Sequence, residues 1–170
     1  MTVARWLARA HAMDDATWAR HASPWSVWTR FATLPAILLA VWLHTSIGWG
    51  WSLAALLVLA AWTWANPRLF PPPRRTDRWS ARAVFGERVW LARRAVPIPP
   101  HHARAAVILS VLAGIGGAVA LVGAALNDLA ATLAGGLLAY LGKMWFLDRM
   151  VWLYQDMRDA DPAYRAWEHG

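Results

Sequence analysis

Glu87 and Asp148 are acidic side chains that could serve as acid, base or ligand, and His101-His102 is a pair of imidazoles that could join them. Imidazole with carboxylate is a ligand set that holds iron or zinc. The spacing speaks against a metal, because adjacent histidines on a helix cannot both point the same way. The chain also has no His-x-x-His, His-x-x-x-His, Glu-x-x-His or His-Glu-x-x-His run. His101 and His102 therefore stay bare candidates, and no cofactor is defined. The plainer reading is an ion-pair network of Glu87 or Asp148 with nearby arginines. A third chemistry is phosphate recognition, for which Arg68, Arg74, Arg75, Arg88, Lys143 and Arg149 are the candidates. Arginine grips phosphate with two parallel N–H donors where lysine offers a point charge. With no cysteine, disulfides, thiolate chemistry and Cys-ligated clusters are excluded. There is no Gly-x-Ser-x-Gly and no Walker loop.

The elements that would position these groups are apolar. Of the 170 residues 58% are hydrophobic and 16% charged, and the apolar excess comes in runs. Residues 1–22 suggest a short helix or two, with Trp6, Leu7, Ala10 and Met13 at roughly helical spacing and no secretory h-region. Ser23-Pro24 is a helix start, serine as N-cap and proline at the first position. Four spans follow, at about 25–47, 50–65, 104–126 and 129–149, each near the length that crosses a bilayer. Pro35 should bend the first, and Gly48-Trp49-Gly50-Trp51 turns the chain into the second. Trp42, Trp49 and Trp51 would mark one interface and Trp25, Trp28, Trp62 and Trp64 the other.

The third and fourth spans carry small residues four apart, Ala113/Gly117, Gly116/Ala120 and Ala131/Gly135/Ala139. In lipid such residues let helix backbones approach, so the two should pack face to face across a short Asn127-Asp128 turn. The fourth helix should continue past the bilayer and end before Asp161-Pro162. Residues 66–103 form a basic connector whose 78–94 stretch shows no clean amphipathic pattern.

Charge sets the topology. All seventeen Lys and Arg fall in residues 1–30, 66–104 and 143–170, nine of them in the middle segment. The turns between spans one and two and between spans three and four hold no cation. The positive-inside rule then places both termini and the connector in the cytoplasm of a plasma-membrane protein. A net charge of +7 could suggest nucleic acid, but cations gathered beside apolar spans fit anionic lipid instead. The span centres hold only small polar groups, so a transporter or channel is not favoured.

The segments Asn66-Pro67-Arg68-Leu69-Phe70-Pro71, Gly86-Glu87-Arg88-Val89-Trp90-Leu91 and Lys143-Met144-Trp145-Phe146-Leu147-Asp148-Arg149-Met150-Val151-Trp152-Leu153-Tyr154 carry a family resemblance. They resemble an uncharacterised, domain-of-unknown-function family of small prokaryotic membrane proteins, over about residues 60 to 157. The resemblance implies a multi-pass membrane protein and brings no activity or site. The expectation is thus an all-α integral membrane protein, four transmembrane helices in two antiparallel hairpins joined by a basic cytoplasmic connector. It would bind anionic lipid or a partner protein at its Arg/Trp-rich face, with homo-oligomerisation open. The alternative is a membrane enzyme acting on a lipid-like substrate at the inner leaflet, with Glu87 and Asp148 as its acid/base pair or metal ligands.

Overall fold

The computed structural model describes residues 15–168. Trp6, Leu7, Ala10 and Met13 of the expected N-terminal helix lie outside them. Helix is the only regular structure among the described residues, with no strand among them: α1 Asp15–His21, α2 Pro24–Phe31, α3 Thr33–Trp42, α4 His44–Leu69, α5 Trp79–Ala92, α6 Pro100–Ala125, α7 Leu129–Met157 and α8 Pro162–Arg165. Three of these, α4, α6 and α7, are long and apolar enough to cross a membrane.

The expected first span is divided. α2 has 8 residues and α3 has 10, neither able to cross by itself. The break sits at Ala32, three residues before Pro35. Proline has no N–H for the carbonyl four residues back, which is that of Phe31. The Tyr140 hydroxyl on α7 donates to the Phe31 carbonyl instead, and the two rings stack with centroids 5.9 Å apart. The kink is thereby fastened to another helix. Ser23 takes the extended N-cap conformation before Pro24, but its side chain makes no capping bond.

The second expected span begins at Gly48, whose φ of 79° breaks the helix inside α4. That left-handed conformation is open to glycine and costly for most other residues. From Trp49 onward the chain is helical, so the turn ends earlier than Trp51. α4 also runs through Asn66-Pro67-Arg68 to Leu69, past the expected boundary at 65.

The stretch left undecided by its pattern, 78–94, is the helix α5, and it is buried on several sides. Ala81, Ala83, Val84, Phe85 and Val89 all lie in the core. That explains the missing amphipathic stripe: a helix packed on more than one side needs none. α5 rests on α7, where Gly86 meets the Met150 backbone so closely that a Cβ would strike its carbonyl. Phe146, Leu147, Met150, Val151, Leu153 and Tyr154 supply the α7 side of this core.

α6 and α7 pack antiparallel. Gly116 faces Gly135 and Ala139, Gly123 faces Ala131 and Thr132, and Gly142 faces Ala113. Gly117, expected in this interface, has open space around it, as does Gly114. The turn between these helices places Asn127 at a φ of 53°, a conformation asparagine tolerates. Asp128 then caps α7 by accepting from the Ala131 N–H at 3.0 Å.

Candidate functional site

Contacts gather most of the described cations toward one end. Asn127 Nδ2 donates to the Trp42 carbonyl at 3.0 Å, so the α3–α4 and α6–α7 turns lie together. At the opposite end the last turns of α4 and α7 and the start of α6 meet α1, α2 and α5. Asn66 is the tie on the α4 side. Its Oδ1 accepts from Ser26 Oγ and its Nδ2 donates to Thr29 Oγ1, both at 2.8 Å. Asn66 and Ser26 have no exposed surface. Ser26 spends its proton on Asn66, so the His21 ring nitrogen at 3.4 Å from Ser26 Oγ must be the N–H form, donating to it. The asparagine of the Asn-Pro-Arg motif thus joins α4 to α2.

Glu87 and Lys143 form an ion pair at 2.8 Å, joining α5 to the middle of α7. The pair lies deep. Lys143 stands thirteen residues before Asp156, about 20 Å along the helix axis. Burial alone would raise the Glu87 carboxyl, but the Lys143 charge and hydrogen bond, with the Arg30 charge, bring it below the usual glutamate range. Glu87 and Lys143 line two cavities, one of about 430 Å³ with Trp18, Trp90 and Phe146 and one of about 260 Å³ with Arg30 and Phe31. His21 lies nearby in the electrostatic sense. Its burial and the Arg30 charge hold it down to about 3, so it is neutral.

Asp148 does not join Glu87 as an acid/base pair in its bonding: it accepts from Trp79 Nε1 at 3.3 Å. Trp79 stacks on Trp28, centroids 6.1 Å apart. Trp28 in turn walls a groove of about 870 Å³ with Trp25, Pro71, Pro72, Pro73, Arg74, Arg75 and Arg78. Arg75 pairs with Asp77 at 2.7 Å, while Arg74 and Arg78 have no ion-pair partner among the described residues. The remaining candidate cations are placed elsewhere. Arg68 donates to the Trp64 carbonyl and lies over that ring, Arg88 pairs with Asp15 and stacks on Trp167, and Arg149 sits over Trp152. Cation over indole recurs here because the ring face is negative and the guanidinium weakly hydrated.

His101 and His102 come closer together than helical spacing suggests, their ring centroids 4.2 Å apart at the first turn of α6. His102 is buried and its Nε2 stands 2.8 Å from Asp156 Oδ2. One ligand atom from each of His101, His102 and Asp156 falls within 4.8 Å of the others, a set that could hold a cation. The same bond equally pins the start of α6 to the end of α7.

The family model of a family of unknown function, DUF6653, matches residues 2–169. The chain belongs to DUF6653. No curated protein and no solved structure matches it. In this DUF6653 chain, His21, Ser26, Arg30 and Asp156 are the site residues that sequence reasoning did not single out. His21 and Asp156 sit in polar terminal stretches with no spacing signal. Ser26 and Arg30 lie among the tryptophans of an expected interface, where a polar group needs no further explanation.

Proposed function

We propose that this DUF6653 protein is an integral membrane protein with four passes, α2 and α3 together forming the first. Its basic end faces the cytoplasm, and it binds anionic lipid headgroups in the groove between Trp25, Trp28 and Arg74, Arg75, Arg78. The observation that carries this reading is the groove itself. Two exposed indoles, which suit the headgroup layer, flank arginines of which two have no internal ion pair. Pro71-Pro72-Pro73 fixes the backbone between them in extended form, so the groove is preorganised. The groove opens where α4, one of the three helices able to cross a membrane, reaches its end.

Juxtamembrane cations contribute about 1 kcal/mol each toward an anionic surface. Arg75 contributes less, since Asp77 already partners it. Protein purified in neutral detergent should retain phosphatidylglycerol over phosphatidylcholine. The Arg74→Glu/Arg75→Glu/Arg78→Glu variant should lose that preference by on the order of tenfold or more. Unchanged retention in a folded variant would count against the groove.

A further inference from the structure

The cavity of about 260 Å³ between α2, α5 and α7 holds an imbalance of charge that the groove does not explain. Arg30, Glu87 and Lys143 line it, and its other walls include Val27, Phe31, Val84 and Leu147. Glu87 is committed to Lys143 at 2.8 Å. The Arg30 Nε is buried and has no hydrogen-bond partner among the described residues. Two cations therefore face one carboxylate, and the neighbouring His21 ring, already donating to Ser26, offers no compensating charge. A buried guanidinium N–H without an acceptor is costly unless something supplies one, even where the rest of the half-buried Arg30 side chain reaches the surface.

We infer that this cavity is an anion-binding site in which Arg30 and Lys143 hold a single phosphate or carboxylate group. Arg30 provides a planar fork suited to two oxygens and Lys143 a point charge. Glu87 limits the site to a ligand of low charge, because its own carboxylate already draws on Lys143. The apolar walls fit a ligand whose charge is carried on an apolar body, although a free phosphate satisfies the same donors. The site is separate from the tryptophan–arginine groove and shares none of its side chains.

The test is thermal unfolding in a neutral maltoside detergent, titrated with inorganic phosphate in one series and dihexanoyl phosphatidic acid in another. Wild type should be stabilised by at least one of them. A response to phosphate alone identifies a free anion, and a response confined to the phosphatidic acid identifies a lipid headgroup. Arg30→Gln should abolish the shift, and Glu87→Gln, which frees Lys143, should tighten the apparent affinity by about tenfold. The Arg74→Glu/Arg75→Glu/Arg78→Glu protein should keep the response, which separates this site from the groove. No stabilisation of either wild type or Glu87→Gln by either anion would overturn the assignment. So would an undiminished response in Arg30→Gln. Should Arg30→Gln fail to fold, the gain expected of Glu87→Gln decides by itself.

Discussion

A histidine buried beside an arginine stays neutral, and His21 does so down to about pH 3. The unfolded chain protonates the same ring near its ordinary 6.5. Between those values the unfolded state binds more protons, so stability falls as pH drops through that window. From pH 6.5 to 5 the loss should be about 2 kcal/mol, seen as a falling unfolding temperature, and His21→Gln should flatten it. Glu87 is lowered, so its stabilising contribution is present above the usual glutamate range and is lost only at more acid pH. An unaltered slope in His21→Gln would refute the assignment to His21. His102 and Asp156 make a second residue-scale case. Asp156→Ala leaves the buried His102 Nε2 without its partner and should destabilise by about 1–3 kcal/mol. His101→Ala should be neutral, and chelation of untagged protein should leave the unfolding temperature unchanged, if this contact is an interhelix pin. Little of this was legible beforehand, because Asp156 lies 54 residues from His102 and no local spacing joins them.

At the scale of elements, apolar runs and breakers went furthest. Helices were evident wherever about twenty uncharged residues stood together, and Asn127-Asp128 marked a turn that the structure contains. The pattern failed where tertiary contact overrides it. α5 has no amphipathic stripe because it is buried on several sides, and the Tyr140 hydroxyl that fastens the expected break near Pro35 comes from over a hundred residues away. That fastening is testable by a double-mutant cycle. Tyr140→Phe should cost about 1–3 kcal/mol by orphaning the Phe31 carbonyl. In a Pro35→Ala background, where residue 35 regains an N–H for that carbonyl, the same change should cost much less. Equal costs in both backgrounds would show that the hydroxyl is not standing in for the missing donor. Gly86→Ala should be destabilising by about 1–3 kcal/mol or more, since backbone rather than a flexible side chain receives the added methyl. An unfolding temperature equal to wild type would mean that α5 and α7 separate freely.

Across the whole molecule, charge segregation is the feature that sequence and structure share. The two turns without cations meet through Asn127 and Trp42, and the basic segments meet at the other end through Asn66, Glu87–Lys143 and His102–Asp156. The grouping was legible because a bilayer admits few arrangements of long apolar helices. The partners within the basic end were not, since which arginine meets which carboxylate depends on how α5 lies on α7. The groove proposal requires the basic end to face the anionic cytoplasmic leaflet. The absence of cysteine makes the decisive measurement clean: single-cysteine labelling of intact cells with a membrane-impermeant maleimide. Gly50→Cys, at the bare end with open space around it, should be labelled from outside. Arg94→Cys, exposed at the basic end, should be labelled only after the membrane is permeabilised. Labelling of Arg94→Cys in intact cells, with Gly50→Cys protected, would contradict the account.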